Sequence, residues 1–521
     1  MTEAVAHLTS ELKDRYRLLS EIARRRGFFW GSFEIYGGLS GFLDLGPLGT
    51  GLKREIEDTW REFFLRRHGF VEISTPIITP HRVLEASGHV ENFKDPMTEC
   101  TNCHRRFRAD QLIKEATGEE TEGLNLEQLA SLLGKVKCPE CGGRNEISPR
   151  QGPIRLREFT IMDFELFFDP DNPECPYLDE VREDQMSIVT EKNRTGGNAE
   201  ALQVSTGRAV EQGTIKSSWA AYFMALSKRF LSQLGIQTQH QRFFEKLPSE
   251  RAHYSAQTFD HEVKLDRWGW VEVAGFAYRT DYDIRKHMQA TGADLRVFKP
   301  YDSPIEKTVR VVKPNHDKIR KQFGADAGRI ISLLAREDLV RTIQDKKTTD
   351  KVRIDSYEVP IEFLEAREEK VKETGKRFIP HVVEPSFGVE RLVYSTMEHN
   401  LRMREDRLIL SLPFKLAPIQ ASVYPLVNKD GLVEKARSVH DSLAQEGLRV
   451  EYDDSGSIGR RYARADEAGI PLGITIDYDT MKDDTVTLRD RDTWAQIRTR
   501  VAQLEETIHT IVNKGFPRVQ E

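Results

Sequence analysis

Four of the five cysteines stand in two Cys-x-x-Cys pairs, and this spacing predicts a metal site. The pairs are Cys100 with Cys103 and Cys138 with Cys141, and 34 residues separate them. Two thiolates in a tight turn bind one ion, and two such pairs form the closed tetrahedral sulfur set that Zn²⁺ prefers in structural sites. The alternative is that the four cysteines are free or form disulfides. It is weaker because reducing compartments disfavour disulfides and because two Cys-x-x-Cys pairs are improbable by chance. Cys175 stands alone and reads as an ordinary thiol.

The elements around these cysteines alternate between helices and strands. An amphipathic opening helix is followed by a second helix whose apolar stripe is Leu52, Ile56, Trp60, Phe63 and Phe64. Further on, residues 154–169 read as one long strand, and the sequences HEVKLD and GWVEVAGFAYR predict a hairpin. This part of the chain therefore contains both helices and strands.

The last hundred residues have a different pattern. From about residue 416, strand, helix and strand follow one another and predict a βαβ unit. Two more strands and a final helix complete a small α/β domain that we expect to be mostly parallel. Two insertions interrupt the preceding part of the chain, at about 98–143, which holds the cysteine pairs, and at about 300–377, which is highly charged.

Composition excludes several classes of protein. The 521 residues are 38% hydrophobic and 31% charged, which is typical of folded globular domains. No apolar run approaches the length of a membrane-spanning helix, and the first residues lack the pattern of a signal peptide, so we expect a cytoplasmic protein with no membrane partner. The net charge of −6 means that any nucleic acid must contact local basic surfaces.

Four segments carry a resemblance to a known family. EIYGG, GFVEISTPIITP, RNEISPRQGPIRLREF and HVVEPSFGVERL resemble archaeal and eukaryotic-type glycyl-tRNA synthetases, which are class II aminoacyl-tRNA synthetases, and the likeness covers nearly the whole chain. It implies an α+β class II catalytic domain over 1–415, an antiparallel sheet flanked by helices with the zinc-knuckle insertion and the second insertion, and an α/β anticodon-binding domain over 416–521. VEISTPIITP is similar to the first class II signature, which implies a homodimer.

The resemblance also implies a reaction. The carboxylate of glycine would attack the α-phosphorus of ATP, and a terminal ribose hydroxyl of tRNA(Gly) would then attack the glycyl-adenylate. The planar arginine fork suits this chemistry because it binds phosphate and carboxylate oxygens in pairs and keeps its charge. By resemblance, the ATP contacts would be Arg144 at the α-phosphate and the glycine carboxylate, Glu146 at the adenine edge, Arg155 at the outer phosphates, Phe159 stacked on adenine, and Arg391 at the γ-phosphate, with Mg²⁺ bridging phosphate oxygens.

Glycine has no side chain to grip, so its selection requires exclusion of larger amino acids. By resemblance, Asp163 would contact the ammonium, and Glu384 and Ser386 would crowd the Cα hydrogens. Glu272 and Arg279 would lie on a strand facing this region. Any of these residues alone would more often form an ordinary surface ion pair, and only their joint order along the chain favours a synthetase.

One departure from the family concerns the segment before Arg144. In the family, several tens of residues with an RPETAQ-type loop follow the zinc insert, whereas here Cys141 and two glycines run directly into Arg144. The chain is therefore either a shortened active enzyme or a catalytically impaired paralogue that acts as a tRNA-binding or regulatory dimer. A third alternative is a synthetase of the same subclass that charges threonine, proline, serine or histidine.

Overall fold

The computed structural model divides the chain into two compact units, one of residues 1–293 with 380–521 and one of residues 294–379. It describes residues 15–38, 42–76, 78–92, 97–118, 121, 124, 126–147, 159–196, 200–334, 351–405 and 407–517. Within these ranges, no helix is long and apolar enough to cross a membrane.

The helices are α1 (15–26), α2 (Pro47–Phe64), α3 (His81–Ala86), α4 (His89–Asn92), α5 (Ala109–Thr117), α6 (Leu126–Leu133), α7 (Glu191–Thr195), α8 (Thr206–Glu211), α9 (Ser218–Gln233), α10 (Tyr282–Thr291), α11 (His316–Phe323), α12 (Ala327–Leu334), α13 (Val389–Asn400), α14 (Leu432–Gln445), α15 (Ile458–Glu467), α16 (Thr480–Asp483) and α17 (Leu504–Lys514). The strands are β1 (Phe29–Gly31), β2 (Leu43–Leu45), β3 (Met97–Cys100), β4 (Arg106–Arg108), β5 (Asn145–Ile147), β6 (Ile161–Asp163), β7 (Leu166–Phe168), β8 (Gln185–Val189), β9 (Leu202–Ser205), β10 (Gln241–Glu245), β11 (Gln257–Leu265), β12 (Gly269–Thr280), β13 (Val297–Pro314), β14 (Lys351–Ile354), β15 (Tyr357–Pro360), β16 (Leu364–Phe378), β17 (His381–Gly388), β18 (Leu401–Arg404), β19 (Arg407–Leu410), β20 (Ala421–Pro425), β21 (Val450–Tyr452), β22 (Leu472–Ile476), β23 (Thr485–Asp490) and β24 (Gln496–Arg500).

An eight-stranded sheet organises the larger unit. Its order is β6-β17-β12-β11-β10-β8-β9, and β7 also pairs with β17. The predicted hairpin is confirmed as β11 and β12, which pair antiparallel from Gln257 opposite Tyr278 to Leu265 opposite Gly269, with one bulge. Of the strand predicted over 154–169, the described part is β6 and β7, which lie on β17 in a single register; residues 154–158 lie outside the described residues.

Helices α2 and α9 pack the hydrophobic core against this sheet. The stripe predicted on α2 is confirmed at Leu52, Ile56, Trp60 and Phe64, which are buried, whereas Phe63 is only partly buried against the same core. The helix can pack so closely because of Gly49, where an added Cβ would lie 1.9 Å from the Phe28 carbonyl oxygen. The burial of these large apolar side chains stabilises the unit by about 2 kcal/mol each.

The C-terminal domain contains the predicted βαβ unit, formed by β20, α14 and β21. Its sheet has the order β21-β20-β22-β23-β24, with two parallel and two antiparallel pairs. The expectation of a mostly parallel sheet was therefore wrong, because the polar strand β24 returns as a hairpin partner of β23. Arg489 and Arg491 are buried here, and Arg489 makes a double ion pair with Asp466 at 2.9 and 3.0 Å, which is a structural role.

The smaller unit contains the charged insertion expected at about 300–377. The long strands β13 and β16 form an antiparallel ribbon. Helices α11 and α12 and the hairpin of β14 with β15 share a small core around Ile319, Ile330 and Val359.

Candidate functional site

The four paired cysteines meet at one end of a small three-stranded sheet of β4, β3 and β5. Their Sγ atoms all lie within 4.8 Å of one another, with Cys100 to Cys141 at 3.5 Å and Cys103 to Cys138 at 3.7 Å. Zinc–sulfur bonds of about 2.3 Å in a tetrahedron require sulfur–sulfur distances of about 3.8 Å, so the arrangement fits Zn²⁺. Among the described residues, no other group of three or more potential ligands lies this close together.

The surroundings of the cysteines shift the pKa values of two of the thiols in opposite directions. The Asn102 amide donates to Cys141 Sγ at 3.5 Å and, with the backbone at Gly143, lowers the pKa of that thiol to about 6. In the same set, the hydrogen bond to the Arg105 backbone is outweighed by desolvation and by hydrogen bonds with the other three thiols, which raise the pKa of Cys103 to about 12. It is therefore the spacing of the four sulfurs that favours a metal. Cys175 lies outside the set, and burial raises the pKa of its thiol to about 12, as suits an ordinary core thiol.

Arg144 and Glu146 lie on this small sheet and not on the large one. Glu146 is part of β5 and is paired with Glu99 of β3, and the Arg144 carbonyl accepts from Thr101 N at 2.9 Å. Both side chains are exposed. Arg155, the third predicted member of the group, lies outside the described residues, so the role of all three in binding ATP stays a prediction.

Three neighbouring strands of the large sheet bring the predicted glycine contacts together. Asp163 of β6 and Gly275 of β12 both lie directly opposite Ser386 of β17. Residues opposite each other in an antiparallel sheet point to the same face, and Glu384, two residues before Ser386, shares it. A Cβ on Gly275 would lie 3.4 Å from Ser386 Oγ, so this glycine leaves a small space bordered by the serine.

Arg279 fixes the position of Glu384. Its guanidinium donates to Glu384 Oε2 at 2.6 Å and to Asp283 Oδ2 at 2.8 Å, and lies 3.9 Å from the ring centre of Tyr254. Burial alone would disfavour the charge, but the hydrogen bonds and the charges of Asp283 and Glu384 outweigh it and raise the pKa of Arg279. The Glu384 carboxylate therefore stands in one orientation and faces a permanent positive charge.

Glu165 also belongs to this face, although the sequence reasoning missed it. The shared register of β6 and β7 on β17 places Glu165 opposite Glu384. Its side chain keeps contact with solvent, yet partial desolvation raises the pKa of the Glu165 carboxyl; Arg279 opposes this rise and Glu384 adds to it. The signal available in the sequence was the two-residue spacing from Asp163, which puts both acids on one face of a strand.

The other end of β6 and β17 carries two residues predicted to bind the nucleotide. Phe159 is 56% exposed, so its ring is open to stacking. Arg391 lies in the first turn of α13, just after Gly388, and its side chain is 54% exposed. It donates to the Glu272 carbonyl at 2.7 Å and lies 3.2 Å from the Glu272 carboxylate, so this guanidinium faces β12 next to the pocket.

Known glycine–tRNA ligases are similar to this chain along nearly its whole length. The family model described as the anticodon binding domain matches residues 420–511. The glycine–tRNA ligase of Aeropyrum pernix is 40% identical over 570 aligned residues, which cover 96% of this chain and 98% of the relative. The glycine–tRNA ligase of Pyrococcus horikoshii is 40% identical over 566 aligned residues, which cover 96% of this chain and 99% of the relative. That of Methanocaldococcus jannaschii is 38% identical over 565 aligned residues, which cover 94% of this chain and 98% of the relative.

These alignments also report a difference in length. Since 96% of 521 residues is about 500, about 70 of the 570 positions aligned with the Aeropyrum pernix relative face gaps in this chain. This total is of the size expected for the segment before Arg144, and the position of the missing residues stays a prediction.

Proposed function

The chain belongs to the glycine–tRNA ligase family and is thus an aminoacyl-tRNA ligase, and we propose on this premise that it attaches glycine to tRNA(Gly) through a glycyl-adenylate. The observation that carries the proposal is similarity at about 40% identity along nearly the full length of both chains. The arrangement of Asp163, Glu384 and Ser386 beside one small space supports glycine as the amino acid. The alternative of an impaired paralogue is not favoured.

We propose that residues 1–415, with the two insertions, form a class II catalytic domain and that the domain over 416–521 binds the anticodon of the tRNA. Synthetases generally use ATP with Mg²⁺. In this chain Arg391 would bind the γ-phosphate and Phe159 would stack on adenine, and both side chains are sufficiently exposed to do so. Arg144, Glu146 and Arg155 would complete the nucleotide site as the family resemblance implies.

The glycine-binding part of the site would attract the substrate by charge and would exclude larger amino acids by contact. The acidic face of Asp163 and Glu165 would attract the ammonium group, and Arg279 would hold Glu384 still. A methyl group in an apolar pocket changes binding by only about 1–3 kcal/mol, so contact with rigid polar groups discriminates better against alanine. The ion pair of 2.6 Å between Arg279 and Glu384 provides this rigidity.

A structural zinc ion and a second copy of the chain are the remaining proposed partners. The spacing of the four thiols supports a structural Zn²⁺ ion. A homodimer is supported by the exposure of several large apolar side chains between β1 and α3, since apolar groups left open to solvent are commonly covered in a protein interface. They are Ile35, Tyr36, Val71, Ile73 and Ile78. A cytoplasmic location stays a prediction.

Exchange of pyrophosphate into ATP tests the proposal. We expect exchange that depends on glycine, together with strong loss of exchange in Arg391→Gln. Absence of exchange from folded, zinc-replete protein that still binds tRNA would favour the impaired paralogue. Exchange stimulated instead by threonine, proline, serine or histidine would favour the third alternative.

A further inference from the structure

A lysine on α2 reaches the nucleotide end of the site, although nothing in the proposed function uses it. Lys53 Nζ donates to Thr160 Oγ1 at 2.6 Å and to Glu390 Oε1 at 3.4 Å. It also lies 4.0 Å from the carboxylate of Glu57, one turn along the same helix. The Lys53 side chain is 23% exposed, so the contacts form in a partly dehydrated setting where charge-assisted hydrogen bonds are stronger.

Glu390 completes a clamp between three elements. Its second oxygen, Oε2, accepts from Thr160 N at 2.9 Å, and the backbone of Val389 donates to the Thr160 carbonyl at 3.0 Å. Lys53 of α2, Thr160 at the start of β6 and Glu390 in the first turn of α13 are thereby joined in one hydrogen-bonded group.

Each of the two contacted residues is next in sequence to a proposed nucleotide contact. Thr160 follows Phe159, and Glu390 precedes Arg391. The clamp therefore fixes the backbone from which both of these side chains extend. Asp163, at the far end of β6, is three residues away from the clamp.

Charge gives Lys53 a second effect. Glu390 is an acid beside the place where the triphosphate would bind, and an unpaired carboxylate there would repel the phosphates and compete for the Arg391 guanidinium. Lys53 neutralises it. Glycine, bound near Asp163 and Ser386, would lie farther from Glu390 and would gain much less from the neutralisation of this carboxylate.

We propose that Lys53 is a positioning residue for ATP, acting through Thr160 and Glu390. The inference rests on the proposed function, because it takes Phe159 and Arg391 as nucleotide contacts. It assigns to α2 a task in substrate binding beyond its packing against the core.

Steady-state exchange kinetics of Lys53→Met test the inference. We expect the KM for ATP to rise about tenfold, which corresponds to about 1.4 kcal/mol, while the KM for glycine changes less than about twofold. Lys53→Arg should restore most of the ATP affinity, because a guanidinium can span the same two oxygens. Arg61→Met is the matched control, since Arg61 lies on the same helix but pairs with Glu72 and Asp58 at the surface, and it should leave both KM values unchanged.

Thr160→Val provides an independent test that leaves every charge in place. It removes the hydroxyl that accepts from Lys53 and should raise the KM for ATP about threefold, again without an effect on glycine. An equal rise in the KM for ATP and the KM for glycine would overturn the positioning role. A lower melting temperature with unchanged KM values would also overturn it.

Arg391→Gln separates the two proposals. A raised KM for ATP in Arg391→Gln but not in Lys53→Met would refute the inference and keep the proposed function. Unchanged KM values in both variants would refute the assignment of the nucleotide site itself.

Discussion

His261 should make the larger unit sensitive to acid, and the size of this effect follows from its surroundings. The ring is fully buried in β11, stacks on Phe243 with ring centres 4.2 Å apart, and bonds through Nδ1 to Ser227 Oγ at 2.8 Å. Burial, with a smaller contribution from the charge of Lys228, lowers the pKa of His261 to about 3.

The direction of the pH dependence follows from proton binding. An unfolded histidine has a pKa of about 6.5, so between pH 6.5 and 3 the unfolded chain binds a proton that the folded chain does not. The stability contributed by His261 is therefore complete above pH 6.5 and falls as the pH drops towards 3. At about 1.4 kcal/mol for each pH unit, acidification from pH 6.5 to 5.0 costs about 2 kcal/mol.

Substitution His261→Phe keeps a flat ring and removes the titration. At pH 7.5 the variant should be less stable by about 1 kcal/mol, because Ser227 loses a partner. Between pH 7.5 and pH 5.0 the free energy of unfolding of the variant should fall by about 2 kcal/mol less than that of the parent chain. Urea unfolding followed by tryptophan fluorescence measures this, since Trp60 lies in the same aromatic core.

The control is His509→Gln, which changes a histidine on the exposed side of α17 and should keep the pH dependence of the parent. If His261→Phe and the parent lose the same free energy between pH 7.5 and 5.0, the reasoning is refuted.

Three further predictions concern the zinc site, the pocket and the C-terminal domain. Purified protein should contain about one zinc ion per chain by atomic absorption, and Cys138→Ser should contain much less; equal zinc in both would contradict the site. Ser386→Gly should reduce the preference for glycine over alanine about ten- to a hundredfold in kcat/KM for exchange, and unchanged discrimination would count against the pocket. Arg489→Met should destabilise the C-terminal domain by about 3–5 kcal/mol in calorimetry, because Asp466 would stay buried without its partner. The control Arg498→Met removes the more exposed ion pair with Asp477 and should destabilise the domain much less.

Local patterns in the sequence predicted most of the elements around the site. The stripe on α2, the hairpin of β11 and β12, and the unit of β20, α14 and β21 were all found, because each has strong periodicity or turn residues of its own. Strand β24 was missed because Gln496–Arg500 is mostly polar, and its place depends on pairing with β23.

The site was only partly predictable, for a different physical reason. The cysteines and the acids of β6 and β17 lie in short segments whose spacing carries information. The link from Arg279 to Tyr254 and Glu384, and the clamp from Lys53 to Thr160 and Glu390, join residues far apart in the chain. Such contacts depend on the packing of α2 and α13 against the sheet and leave no local pattern.

The most direct test of the central claim is the charging of tRNA(Gly) with labelled glycine in the presence of ATP. The account predicts accumulation of acid-precipitable glycine on the tRNA, dependent on ATP and strongly reduced in Arg391→Gln. Folded, zinc-containing protein that charges tRNA(Gly) with no glycine, or that charges another amino acid equally well, would contradict it.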